Sequence, residues 1–177
     1  MTDEMSTILR NHLAFKDDTI KEWMLELLDF GQNATALEQA LGKLVPLSKE
    51  LSSSIDFIGK APYCSLLLAY MFFRWDNYSS SVAWIQDAII KGFGNGSDAQ
   101  NHAVALWLRA LANEKADHLD EAQHDIGEAI QRLEREVTTC KRRGKWSEQK
   151  KYEGIIEKLH ETGKRVSKEF RVHWVSP

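Results

Sequence analysis

The chain of 177 residues has the length of one ordinary domain, and its 43% hydrophobic and 28% charged residues describe a globular rather than a disordered polypeptide. Three prolines and ten glycines exclude collagen-like and Pro-rich chains, and no apolar run approaches the roughly 18 residues of a membrane span. The net charge of −3 hides an asymmetry: residues 1–140 hold 12 Lys and Arg against 21 Asp and Glu, a net of −9, whereas residues 141–177 hold 11 against 5, a net of +6.

The acidic opening, Met1-Thr-Asp-Glu-Met-Ser, has no apolar export stretch, so a cytoplasmic chain with no membrane partner is expected. Two cysteines, Cys64 and Cys140, are too few for a disulfide framework and are expected to stay reduced. Strand-like alternation is absent, and apolar residues recur with helical spacing almost throughout. Ile8, Leu9, Leu13 and Phe15 mark a first short helix. Asp17 and Asp18 cap a second, with Ile20, Trp23, Met24, Leu27 and Leu28 on one stripe and Gly31 at its end. Asn33 caps a third through Leu37, Leu41 and Leu44; Pro46 bends or breaks it before Leu47, Leu51, Ile55 and Ile58. Gly59 stops that helix and Pro62 suits the first turn of the next, where Leu66 to Phe73 are apolar on every side and predict the most buried element. A turn at Asp76 and Asn77 leads to a partner helix over 79–91, and Gly92, Gly94 and Gly96 predict the most flexible loop. Helices at about 98–115, 118–141 and 145–171 complete the chain. Their short connections predict antiparallel neighbours, and the fold class is all-α with seven to eight helices.

A shift of 41 residues lays Asp76, Tyr78, Ser81, Ile85, Ala88 and Ile89 over Asp117, Leu119, Ala122, Ile126, Ala129 and Ile130, with Ala69 and Ala110 in the preceding helices obeying the same shift. Small residues let two antiparallel helices approach, and large ones four positions on fill the gap to the next pair. The pattern resembles the tetratricopeptide repeat. The spacing is longer than that family's 34 residues, Asn113 stands where it prefers a large ring, and no proline ends either unit. A degenerate third unit begins at Gly144-Lys-Trp146, with Gln149 in its small position. The resemblance implies a single helical domain built as a short stack of hairpins. Residues 1–60 would cap it, 61–140 would form two helix pairs, and 141–177 a basic last helix.

No enzymatic constellation stands out, and neither a metal nor another cofactor is expected. The Glu-x-x-His pairs Glu121/His124 and Glu157/His160 each share a helix face, as in di-iron bundles, but they sit on consecutive helices, and Glu121 and His124 point away from the stripe of Ala122, Ile126 and Ala129. Cys64 reads as a small buried hydrophobe, whereas Lys141, Arg142 and Arg143 beside Cys140 predict a lowered thiol pKa. Asp29-Phe-Gly31 and Gly92-x-Gly94-x-Gly96 lack the strands that kinase and phosphate-binding motifs require.

The expected function is therefore non-catalytic: an adaptor, sensor or assembly scaffold. The resemblance places a partner segment on a concave face formed by Tyr63, Leu66, Tyr70, Phe73 and Arg74 of one unit and Trp107, Leu111 and Lys115 of the next. Aromatics with an arginine dominate binding energy at interfaces. The alternative is that the chain's own helices, or a second copy in a homodimer, cover these rings. From a different class comes nucleic-acid association through Lys141, Arg142, Arg143, Lys145, Trp146, Lys150 and Lys151, where cations flank an aromatic. A basic last helix reaching across to an acidic neighbour within the chain explains the same charges.

Overall fold

The computed structural model describes residues 4–15, 18, 21, 22, 24, 25, 28, 61–93 and 98–175, with side chains as far as residue 168. The expected helices through Leu37 to Ile58, with their Asn33 cap and Pro46 break, lie outside those residues, as do Gly94 and Gly96. Among the described residues every regular element is helical, and six helices pack together: α1 (Glu4–His12), α2 (Ala61–Arg74), α3 (Tyr78–Ala88), α4 (Ala99–Lys115), α5 (Leu119–Arg143) and α6 (Trp146–Val175).

The turns explain why the helices stop where they do. At the end of α2, Asn77 N–H donates to Phe72 O (2.9 Å) and Asp76 N–H to Phe73 O (3.1 Å), with Asp76 at φ 55°. At the end of α4, His118 N–H donates to Asn113 O (2.8 Å) and Asp117 N–H to Glu114 O (3.2 Å), with Asp117 at φ 63°. These two Schellman turns match bond for bond at the shift of 41 residues seen in the sequence. A third closes α5, where Gly144 takes φ 68° and Lys145 N–H donates to Cys140 O (3.0 Å). Aspartate is among the few residues that tolerate the left-handed region, so the first two turns need no glycine. Asn77 and Asp98 then cap α3 and α4, their side-chain oxygens accepting from Ser80 N–H (3.2 Å) and Asn101 N–H (3.1 Å).

α2 is buried along its whole first part, Ala61 to Met71, as its all-round apolar sequence predicts. α4 is equally enclosed although its composition is more polar: Gln100 to Leu108 and Ala110 to Asn113 are all buried. It packs against α1, α3, α5 and α6 and forms the centre of the molecule. Met5, Ile8, Leu9 and Leu13 of the N-terminal segment join the core, with Met24 and Leu28.

Gly92 is not in a loop. It belongs to a π-helical turn, Ile89–Phe93, that prolongs α3, and a Cβ there would lie 2.6 Å from Pro62 Cγ. The proline ring is rigid, so the backbone of this turn approaches α2 only because residue 92 lacks a side chain. Gly92→Ala should lower stability by about 1–3 kcal/mol through overpacking, outweighing a helix-propensity gain of about 1 kcal/mol. A urea midpoint equal to or above that of the parent chain would contradict this packing.

Candidate functional site

The residues assigned to a concave aromatic face are mostly interior. Tyr63, Leu66 and Tyr70 of α2 and Trp107 and Leu111 of α4 are all buried. The Tyr63 ring stacks on Phe15 (5.8 Å between centroids) and meets the edge of Phe93 (5.2 Å), while its hydroxyl donates to Ala14 O (2.8 Å). Trp107 lies against His12 (5.3 Å), and its indole N–H donates to Thr162 Oγ1 of α6 (3.1 Å). All five residues are thus closed to solvent, Tyr63 by the chain's own N-terminal segment and Trp107 by that segment together with the last helix. Burying such rings within the chain removes large apolar areas from water without the entropy loss of association. Only the rim remains: Phe73 is half-buried against Tyr78 (5.4 Å), and Arg74 and Lys115 are exposed.

The N-terminal cover is fastened by polar residues that periodicity did not single out. Asn101, fully buried in the first turn of α4, accepts from Ala14 N–H (2.7 Å) through Oδ1 and donates to Ala14 O (2.7 Å) through Nδ2. Gln100 Nε2 donates to His12 O (2.6 Å). Together these bonds pair the chain leaving α1 with side chains of α4.

A second polar cluster joins α3, α4 and α5. Arg109 makes a bidentate pair with Asp125, Nε to Oδ2 at 2.9 Å and Nη2 to Oδ1 at 2.5 Å, and its Nη1 donates to Gln86 Oε1. Asn113 Nδ2 also donates to Asp125 Oδ2 (3.3 Å). The Asp125 side chain is only 3% exposed, and its position is the one Trp84 occupies in the preceding unit at the 41-residue shift. A carboxylate on an otherwise buried stripe was the signal available in the sequence. The cluster satisfies its own charges and is structural.

The basic segment has a different geometry. α5 has 25 residues and α4 has 17, and both leave the same turn, so α5 runs past α4 by about eight residues, or about 12 Å. The α5–α6 turn sits at that overhanging tip. There Lys141, Arg142, Arg143, Lys145, Lys150 and Lys151 are all exposed, and Trp146 is 67% exposed. Lys145 pairs with Glu148 (2.9 Å), and Lys141 lies 4.0 Å from Glu153. Cys140 departs from expectation: it is buried, and burial together with the Glu148 carboxylate 3.9 Å away pushes its thiol up rather than down. Cys64 is buried as expected, its thiol pushed up to about 11 mainly by desolvation. Further along α6, Arg165 spans to the acidic body, donating to both oxygens of Glu114 (2.7 and 2.8 Å) and to Glu4 (3.2 Å). Part of the tail's charge therefore serves intramolecular pairing.

Three surface grooves follow α5, one of about 530 Å³ between Gln123 and Arg135 on α5 itself. A second of about 540 Å³ runs between α5 and α6 over Ile126, Gly127, Ile130 and Gly163. A third of about 520 Å³ lies beside the Arg109–Asp125 pair and includes His118 and His124. Glu121, His124, Glu157 and His160 are exposed, and among the described residues no group of three His, Cys, Asp or Glu converges as metal ligands would. No helix among the described residues is long and apolar enough to cross a membrane.

Thr162→Val removes the acceptor of the Trp107 indole and should cost about 1–3 kcal/mol, because the N–H stays buried without a partner. An unchanged denaturation midpoint would show that the indole finds another acceptor. His12 and His102 are both held below the usual imidazole pKa of 6.5, in each case first by burial. Lys158 and Lys151 add to this at His12; at His102 Arg132 and Arg109 add to it, while Glu128 and the Phe93 carbonyl oppose them. With folded values depressed, the unfolded chain takes up protons first, so stability is full above about pH 6.5 and falls as pH drops toward the folded values. Urea midpoints at about pH 7.5 and pH 5.5 should differ, and the double replacement His12→Gln, His102→Gln should flatten the slope; equal slopes would refute the assignment. No protein-family model matches the chain, and no curated protein and no solved structure is significantly similar to it.

Proposed function

We propose that the protein is a non-catalytic interaction module, an adaptor, sensor or assembly scaffold built from helix pairs of tetratricopeptide type. The observation that supports this reading is the 41-residue recurrence, present in the small and large positions of the sequence and again in the hydrogen bonding of the turns at Asp76 and Asp117. Hairpins repeated in this way supply rigid, solvent-facing helix surfaces, and function in such proteins lies in what those surfaces bind. Because Tyr63, Tyr70 and Trp107 are core residues, partner contact falls on surfaces that the packing leaves open. These are the Phe73–Arg74–Lys115 rim and the α5–α6 groove.

A second reading has its own observation in Trp146. A large apolar ring left exposed at an overhanging tip among six cations suits stacking on a base, with lysines and arginines on phosphates. The two readings separate in one experiment. A capture from native lysate, with and without nuclease, is read by mass spectrometry for the parent chain and for the triple replacement Arg142→Glu, Arg143→Glu, Trp146→Ala. A stoichiometric protein partner that survives nuclease and is retained by the triple variant is expected. Recovery only of nuclease-sensitive material, lost in the variant, would replace the adaptor reading with the nucleic-acid one.

A further inference from the structure

Gly127 sits in the interior of α5, a helix of 25 residues, and faces solvent. Glycine there is less favourable than alanine by about 1 kcal/mol. No described contact requires it, since a Cβ at residue 127 would meet nothing within 4 Å. Gly163 on α6 differs: its Cβ would come to 3.3 Å from Ile126 Cγ2, so it lets the two helices close on each other. Gly154 is as unhindered as Gly127 but does not line the groove. The unexplained glycine thus lies on the α5 lip of the α5–α6 groove, next to Ile126 and Ile130 and shared with a second groove along α5, where a backbone approaching from outside would need the space.

The charge of the groove is one-sided. Lys164 and Lys168 stand one turn apart on its α6 wall with His160 nearby, and no carboxylate lines it, although the chain as a whole is acidic. Both lysines are exposed, and neither is ion-paired with a described carboxylate, unlike Lys145, Lys158 and Arg165. Like charges at i and i+4 repel by a few tenths of a kcal/mol, and a partner's carboxylates would reverse the sign.

The occupant's secondary structure follows from hydrogen bonding. The backbone groups of α5 and α6 along the groove are engaged within their own helices, so an extended segment would find no edge to pair with. A helix brings its backbone bonds with it. The lining spans residues 123–130 and 160–168, about 12 Å, which matches two to three turns of a partner.

We infer that the α5–α6 groove is the docking site of the module proposed above, and that its occupant is an acidic amphipathic helix whose small residue packs on Gly127 and whose carboxylates meet Lys164 and Lys168. This rests on the interaction-module reading and names its partner class. The test uses the full chain and two fluorescent 18-residue helical peptides with one Leu/Ala stripe, flanked by Glu in one and by Lys in the other. By anisotropy, the Glu peptide should bind in a salt-sensitive manner and the Lys peptide should not. Gly127→Leu, and separately Lys164→Glu with Lys168→Glu, should each weaken binding at least tenfold. Gly127→Ala should raise the thermal midpoint while weakening binding, a combination that a folding defect cannot produce. Equal binding of both peptides, no binding of the Glu peptide, or variants that bind like the parent chain would overturn the inference. If a protein partner captured from lysate is held equally by Gly127→Leu, the groove assignment fails while the module reading survives.

Discussion

The arrangement depends on a helix that is buried on nearly every side and is nevertheless polar. α4 carries Gln100, Asn101, Trp107 and Asn113 into the interior with Arg109 partly buried beside them, and each needs a hydrogen-bond partner there. Its neighbours supply them in particular places: the His12 and Ala14 carbonyls from the N-terminal segment, Thr162 from α6, Asp125 from α5 and Gln86 from α3. Apolar packing alone would hold these helices together in many rotations. The polar side chains select one, because a small slip of any neighbour would strand a buried donor.

This selection bears on where a partner can bind. The aromatic rings of α2 and α4 are the obvious candidates for a binding face, but Asn101 and Gln100 fasten a segment of the same chain over Tyr63, and Thr162 brings α6 onto Trp107. An intramolecular cover acts at a high effective concentration that an external segment must exceed. The surfaces left over lie farther from the centre: the overhanging tip around Trp146 and the groove above Gly127. The tip exists because α5 outruns α4, and the groove because α5 and α6 meet along only part of their surfaces, with Gly163 drawing them together at Ile126.

Charge follows the same logic. The tail's excess of cations divides into a part that holds the fold, with Arg165 clasped by Glu114 and Glu4, and a part that faces outward at the tip and along α6. Glu114 is almost fully buried beneath that clasp, which makes it the better-shielded half of the pair. The outward cations are the ones free to meet a polyanion or an acidic partner, and their strength will fall with salt as the buried contacts will not.

Helical periodicity, caps and turn chemistry are local, and they were legible. The turn at Asp76 and Asn77 was read from the residues, and the 41-residue recurrence that carries it to Asp117 appears in the sequence before it appears in the turns. The burial of α2 was equally plain, since an all-round apolar helix has no face to give to water. What the residues alone left open was the pairing of polar groups distant in the chain. Asn101 reaches Ala14 across 87 positions and Trp107 reaches Thr162 across 55, and no local pattern encodes such partners. The same limit reversed the expectation for Cys140, whose sequence neighbours are cations but whose spatial neighbours are Glu148 and the helix interface. Composition and spacing determined that the described residues form helices and roughly where the turns between them fall, the Gly92 turn excepted. Tertiary packing alone decided which aromatic rings stay available to a partner, because exposure depends on which element arrives to cover them.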